Sequence, residues 1–383
     1  MKSLTFGLFD TFECTSSACS DNCCAGGWAI DIDDAHAKMY LQTKGALGAQ
    51  LANAMIECNG KFYIRLKDGK CPFLNEENLC SLYLQHGSDI MCDVCRLYPR
   101  VSWQCGDLVF HSLTLSCPEA ARLILSEPSI IPFDFAEDNS NSMSDTEENW
   151  KLFNILINAM TLSVNIMQNR SFSTLTRLRL MISFNSLLQQ SLESNNDIDI
   201  IFNAFSDEQE LSFLAENSIV HQTNSVSLLS FALDFYKHSH IFHNPEFIQS
   251  YIGILPQTLA FCSSKLEQPL SNDFWDSVCV DHYETRYEQY SVYYLSRYYM
   301  DSYIKNKNIH QIIANFVFLF CLHRLFAFGV YQQKGDLLTL DDLLPIYTNI
   351  SRFFEHSYTN LDTMYQLFES LGMTDSATLL SLI

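Results

Sequence analysis

Nowhere in the chain are two glycines separated by a single residue. The G-x-G turn that lets a Rossmann sheet approach a nucleotide phosphate is therefore missing, and that architecture is excluded as an expectation. Positive charge is also scarce, with 23 Lys and Arg against 44 Asp and Glu for a net charge of −21. Such a balance disfavours nucleic acid and anionic membrane as partners, and it suits a cationic partner or substrate. Solubility alone is the plainer use of the same charge. Glycine and proline are few, at 13 and 9 of 383 residues, and charged residues make up only 17% against 48% hydrophobic, which argues against global disorder. The start, MKSLTFGLFDTFEC, lacks the apolar core of a signal peptide. The most apolar stretch, IIANFVFLFCLHRLFAFGVY, is broken by His323 and Arg324, so its clean run is shorter than the roughly 20 residues of a membrane span. A buried helix and a cytoplasmic location are the expectations.

Cysteine is what the chain has in excess. Of 14 cysteines, those at 14, 19, 23, 24, 58, 71, 80, 92, 95, 105 and 117 all precede residue 118. A reducing compartment does not sustain a disulfide framework, so this density points to metal. Cys262, Cys279 and Cys321 stand singly in apolar context and read as core thiols.

The first segment, to about residue 125, carries most of the turn signals. KFYIRLKDGK alternates Phe62, Ile64 and Leu66 ahead of an Asp-Gly turn, and RVSWQCGDLVFHSLTL reads as two strands around Gly106 and Asp107. Short helices are expected at Asp34–Tyr40, Ser81–His86 and Pro118–Leu125. Residues 126–149, rich in Ser, Asn, Pro and acid, read as a linker, and from Trp150 to the end the apolar spacing is helical. The fold class expected is mainly α: a small cysteine-rich α+β metal module over residues 1–125, then a helical domain over residues 150–383, with no Rossmann fold.

The thiols fall into three groups: Cys14-x4-Cys19-x3-Cys23-Cys24; Cys71 and Cys80 with Cys92 and Cys95; and Cys117 in LSCPEAARLIL. Gly26 and Gly27 allow a tight backbone turn beside a bound group. Pro118 and Glu119 make Cys117 a helix N-cap, where free N–H groups favour a thiolate. Adjacent ligands cannot easily share one tetrahedral ion, so Cys23 and Cys24 suit different irons of a cluster, two sites, or one ligand beside one packed thiol. Structural zinc uses paired short knuckles, which only Cys92-x2-Cys95 and Cys19-x3-Cys23 fit. The wide, irregular spacing suits a [4Fe–4S] centre at least as well, and zinc stays open as the alternative metal.

The order C-x4-C-x3-CC-x3-W, CPFL…LC, C-R-x-Y-P-R and L-S-C-P-E resembles the flagellin lysine-N-methylase family, FliB, over roughly residues 12–125. It is similar, more loosely, to small iron- or zinc-chelating proteins of the CxxCxxCC type. The resemblance implies a cytoplasmic enzyme that uses S-adenosylmethionine to methylate lysines of flagellin. It also implies a [4Fe–4S] cluster bound by the cysteines on the family pattern: Cys14, Cys19, Cys23, Cys24, Cys71, Cys80, Cys95 and Cys117. Cys58, Cys92 and Cys105 fall outside that pattern. Eight thiols exceed the four ligands of one cluster.

Methyl transfer needs a neutral lysine amine aligned with a sulfonium methyl. The C-x3-C-x2-C triplet of radical enzymes is absent, because Gly26 stands where its third cysteine would be. Asp31 and Asp33 lie on one side of an extended segment; they could hold a lysine or donor amine, or simply form a strand edge and a helix cap. Tyr98 and Arg100 could orient a donor carboxylate or fix the loop after Cys95. Tyr283, Tyr287, Tyr290, Tyr294 and Tyr298 share one helix face, and Tyr287 and Tyr290 could receive a cationic lysine through their rings or be core. No catalytic residue is assignable. The alternative function is a non-enzymatic zinc- or iron-binding interaction adaptor.

Overall fold

A computed structural model describes residues 2–26, 29–137, 147–194, 196–217, 225–242, 279 and 283–383. The architecture is mainly α, with two small sheets near the N-terminus and no Rossmann-like sheet among the described residues.

The first sheet has the order β5-β6-β1-β7. Strands β5 (Arg100–Cys105) and β6 (Leu108–Leu113) form the hairpin that the sequence announces, turning at Gly106 with a φ of 56°. Strand β1 (Lys2–Phe6) runs parallel to β6, and β7 (Phe133–Glu137) closes the other edge antiparallel to β1. Neither β1 nor β7 was expected, and β7 lies inside the stretch read as a linker. The second sheet, β2-β4-β3, is built from β2 (Asp31–Ile32), β3 (Met55–Cys58) and β4 (Lys61–Ile64). Its main hairpin turns at Asn59 and Gly60, whose φ values of 52° and 77° are those of a type I′ turn. The partner of KFYI therefore precedes it, whereas the downstream Asp68-Gly69 turn closes only the small Lys67–Lys70 bridge.

Five short helices accompany the sheets: α1 (Asp34–Gln42), α2 (Gly45–Ala54), α3 (Ser81–His86), α4 (Asp93–Leu97) and α5 (Pro118–Leu125). The helical half begins with α6 (Glu147–Gln168) and α7 (Thr174–Ser194), followed by α8 (Ile198–Ser206), α9 (Glu208–Asn217) and α10 (Ser225–His238). After them come α11 (Tyr283–Asn306) and α12 (Ile309–Lys334), the helices that build its centre. In α12 every residue from Gln311 to Gly329 is buried, His323 and Arg324 included. The helix is long and apolar enough to cross a membrane, yet the whole of its most apolar window is inside the fold. The chain closes with α13 (Leu340–Ile350), a π-helical turn at Ser351–Glu355, α14 (Tyr358–Ser370) and α15 (Ser376–Leu382).

Two hydrophobic cores divide the molecule at a different place from the expected module boundary. The larger joins Phe6, Phe110, Leu115, Cys117 and Ile124 to the long helices. The smaller is local to residues 30–92, with Ile32, Tyr40, Leu51, Ile64, Phe73 and Cys92 among its members. The first sheet and α5 thus belong with the helices, and Arg297 of α11 confirms the join by lying 4.4 Å from the centre of the Trp103 ring. Charge is buried in the helical half as well. Glu288, 1% exposed, is held by Arg177 at 2.7 Å and by Arg170 at 2.8 Å.

Candidate metal centre

The cysteines meet where the small core touches the large one. Residues Cys23–Ala25 form a 3₁₀ turn, capped by the Asn22 side chain accepting from the Cys24 N–H at 2.8 Å. Asn22 also reaches Asn78 O at 3.0 Å, and the Cys71 N–H donates to Cys24 O at 2.8 Å. These bonds bring the first cysteine group against the Cys71–Cys80 loop. That loop is itself closed by the Leu74–Cys80 bridge and by Ser81 N donating to Phe73 O at 2.7 Å. Cys92 is the N-cap of α4 and Cys95 lies within it, and the Tyr40 hydroxyl fixes the start of this helix: it donates to Ile90 O at 2.6 Å and accepts from the Cys92 N–H at 3.1 Å.

Cys117 stands at the N-cap of α5. Arg352, from the π-turn, makes the connection. Its guanidinium pairs with Asp21, between Cys19 and Cys23, and its Nε donates to Ser116 O at 2.9 Å, next to Cys117. A charge-assisted pair is stronger than an ordinary surface one, so this residue clamps two cysteine-bearing segments onto the helical half. Arg352→Ala is expected to raise amide exchange at residues 19–25 roughly tenfold while leaving α12 protected, because local opening costs less than global unfolding. Unchanged exchange across that loop would show that Arg352 is not its anchor.

The thiols are electrostatically differentiated. A hydrogen bond with Cys24 pulls Cys23 down to about 7, with the Arg352 charge assisting, while the same bond raises Cys24. Cys92 is likewise lowered to about 7 by its bond with Cys95, which is raised. Burial pushes Cys71 and Cys117 up to about 11, against the N–H of Phe73 in one case and those of Ala120 and Glu119 in the other. N–H groups aimed at sulfur favour the thiolate that a metal requires. The Ser16 N–H similarly lies 3.4 Å from Cys14 Sγ.

All eight pattern cysteines therefore lie in this region, and Cys92, off the pattern, joins them. Cys58 is exposed on β3, and Cys105 closes β5. Cys279 and Cys321 are buried, whereas Cys262 lies outside the described residues.

The polar candidates behave differently. Asp31 is exposed on β2. Asp33 is the N-cap of α1; burial raises its carboxyl, but the Asp93 and His36 N–H groups, at 3.0 Å each, outweigh this and hold it well below the carboxylate range. Among the described residues, Asp33, His36 and Asp93 are the one trio of potential metal ligands whose ligand atoms all lie within 4.8 Å of one another, and capping accounts for them. Arg100 donates to Phe9 O and Phe12 O at 3.2 and 2.8 Å, so it fixes the loop before Cys14 and not the one after Cys95. The Tyr98 hydroxyl lies 3.1 Å from Ser116 Oγ, beside Cys117. Tyr287 and Tyr290 are 2% and 0% exposed. Their face packs on Phe316, Phe320 and Tyr347, so the aromatic opening expected there is core in this structure.

Sequence reading missed Arg352 and Glu355. Glu355, 3% exposed, accepts from the hydroxyls of Tyr290, Tyr293 and Tyr298 at 3.3, 3.0 and 3.2 Å. The available signal was two charges inside the apolar run ISRFFEH.

A family model described as the FliB lysine N-methylase C-terminal domain matches residues 161–382. The flagellar biosynthetic protein FliU of Salmonella muenchen is 34% identical over 124 residues, covering 30% of this chain and 73% of that protein. A lysine-N-methylase of Salmonella typhimurium and one of Salmonella choleraesuis are each 32% identical over 124 residues, 30% of this chain and 31% of theirs. The match thus spans about a third of the two lysine-N-methylases. No solved structure matches.

Proposed function

Given that the chain belongs to the FliB lysine N-methylase family, we propose that it is a protein-lysine N-methyltransferase acting on flagellin, with S-adenosylmethionine as donor and iron–sulfur as its resident cofactor. Family membership carries the reaction class. The cofactor reading is supported by one observation above the others: thiols from four separate chain segments converge, with backbone N–H groups directed at several of them.

We favour a cluster over a lone ion because the thiols come from four irregularly spaced segments, and zinc stays the alternative metal. Zinc–sulfur bonds of about 2.3 Å in a tetrahedron place every pair of sulfurs about 3.8 Å apart. The hydrogen-bonded pairs Cys23–Cys24 and Cys92–Cys95 come close to that spacing two at a time, and among the described residues no three cysteine sulfurs lie within 4.8 Å of one another. A cube-shaped cluster holds its thiolates at its outer corners, farther apart. The residues that would hold it come from Cys14, Cys19, Cys23, Cys24, Cys71, Cys80, Cys95 and Cys117. When bound, the group would supply a metal surface against which a sulfonium donor can be held and activated.

The chain supplies the rest. Cys14 and Cys23 are exposed, so the first cysteine group is reachable by a protein substrate. The net charge of −21 draws a lysine-bearing segment in, an effect screened over about 8 Å at physiological ionic strength. Transfer breaks the sulfur–methyl bond and forms a nitrogen–methyl bond, so the lysine must first lose its ammonium proton. Asp31, exposed on β2, is the acidic group we assign to meet that ammonium.

The test is anaerobic incubation of the purified chain with flagellin and S-adenosylmethionine carrying an isotopically labelled methyl, followed by mass spectrometry of flagellin lysines. Labelled methyl on lysine is the expected result. Flagellin unchanged by iron-replete protein would leave the adaptor reading in front.

A further inference from the structure

A buried guanidinium needs acceptors, because arginine keeps its charge and carries five N–H groups. Arg177 meets that need with Glu288, and Arg352 meets it with Asp21 and Ser116 O. Arg297, on α11, does not. Its Nε and Nη1 are buried with no hydrogen-bond partner among the described residues. The guanidinium lies 4.4 Å from the centre of the Trp103 ring and 4.9 Å from that of Tyr298. Those rings favour its charge but offer no oxygen to its N–H groups. The neighbouring carboxylates are engaged elsewhere. Asp301 accepts from Lys305 at 3.0 Å and from the Tyr358 hydroxyl, and Glu355 accepts from three tyrosines.

Trp103 adds a second unpartnered donor, since its Nε1–H is also buried without an acceptor among the described residues. Trp103, His111, Ser112 and Ser296, the residue before Arg297, line a cavity of about 180 Å³ with apolar walls from Phe6 and Phe133. Sites for whole drug-sized ligands run to about 300–1,000 Å³, so this one suits the end of a longer molecule. The chain that passes the cavity at Ser112 runs on through Thr114 and Ser116 to Cys117. His356 joins that segment, its Nε2 lying 2.8 Å from Thr114 Oγ1. Part of His356 meets solvent, yet enclosure of the ring and then the charges of Arg297 and Arg352 lower it to about 4. The local field is therefore positive in a chain whose net charge is −21.

S-adenosylmethionine ends in an α-amino acid, and a carboxylate is the one anion it carries. Arg100, the sequence candidate for that group, is taken by Phe9 O and Phe12 O. We propose that the carboxylate end of the methyl donor enters the cavity beside Trp103 and is held by Arg297. This rests on the methyltransferase reading above and goes beyond it in giving the donor a site. A planar guanidinium takes a carboxylate through two parallel N–H bonds, and the occupant supplies the acceptor that Arg297 lacks among the described residues.

The experiment is calorimetric titration of the iron-replete full chain, purified without oxygen, with S-adenosylmethionine and with its decarboxylated analogue, which keeps the sulfonium. The wild type should bind the analogue roughly tenfold or more weakly, the scale of a lost hydrogen bond between charged groups. Arg297→Gln should bind S-adenosylmethionine as weakly as the wild type binds the analogue, and its affinity for the analogue should be unchanged. A merely structural role for Arg297 would weaken both ligands alike, and that result overturns the proposal. Equal affinity of the wild type for the two ligands overturns it without any variant, while leaving the donor reading in place. Flagellin binding lost in Arg297→Gln with donor binding intact would assign the site to an acidic group of the substrate and overturn it too. No binding of either ligand by the wild type would overturn the donor reading and this proposal together.

Discussion

Glu355→Ala is expected to cost about 3 kcal/mol or more in stability. Three tyrosine hydroxyls converge on this carboxylate from α11, and removing it leaves Tyr290, Tyr293 and Tyr298 buried with one acceptor fewer each. A buried donor left unpaired costs about 1–3 kcal/mol. The damage should spread toward the cysteines, because the Tyr293 hydroxyl also accepts from the Leu115 N–H at 3.4 Å, two residues before Cys117. Glu355→Gln keeps an acceptor and should recover most of the loss. It should also change the pH dependence. Burial holds the Glu355 carboxyl above its ordinary 4.5, against the tyrosine hydroxyls that favour the charged form. The folded chain therefore keeps this proton longer than the unfolded chain, so the stability tied to it is full below 4.5 and declines as pH rises through the folded value. The glutamine variant lacks that decline. Urea unfolding of both variants across pH measures it, and a Glu355→Ala cost below 1 kcal/mol would remove Glu355 from the account.

The pattern of turns and periods made the secondary structure around the cysteines legible. The helix at Ser81–His86 and the hairpin around Gly106 lie where local chemistry put them. What was not legible was long-range. Strand β1 carries no turn or alternation distinctive enough to reveal that it pairs with Leu108–Leu113 a hundred residues on. Strand β7 sits in a segment whose composition reads as linker, and only its pairing with β1 makes it a strand. The Asn59-Gly60 turn was a strong local signal that the downstream Asp-Gly pair obscured.

The site shows the same division. Cysteine spacing marked the thiols, since few other arrangements use so many in one segment. It could not show how their segments meet, because that depends on Arg352, more than two hundred residues away, and on which core each thiol touches. The tyrosine stripe was ambiguous for a physical reason: an aromatic wall and an aromatic core have the same period. The packing of Tyr287 against Phe320 at 4.6 Å resolves it as core. Asp33 was readable as a cap from its place before Asp34–Gln42, but its bond to the Asp93 N–H, which ties α1 to α4, was not.

Acid should unfold this protein through His323 before most carboxylates protonate. His323 lies 1% exposed in α12, its Nδ1 2.7 Å from Leu319 O and its ring stacked 4.2 Å from Tyr347. Burial lowers it from 6.5 to about 3. In the unfolded chain the same imidazole takes a proton as pH falls below about 6.5, while the folded one does not. The unfolded state then binds more protons, so stability is lost progressively as pH drops from 6.5 toward 3. Between pH 6.5 and 4.5 this one residue accounts for about 2 kcal/mol, the slope reaching 1.36 kcal/mol per pH unit once the unfolded imidazole is fully protonated. Glu355 contributes with the opposite sign over part of that range, so the measurement is a difference: thermal or urea unfolding of the wild type and of His323→Leu at matched pH. Leucine has no proton to take, so the gap between the two proteins should shift in its favour by about that amount as pH falls. A gap constant from pH 6.5 to 4.5 would mean that His323 is protonated in the folded protein too, with a partner the buried geometry does not reveal.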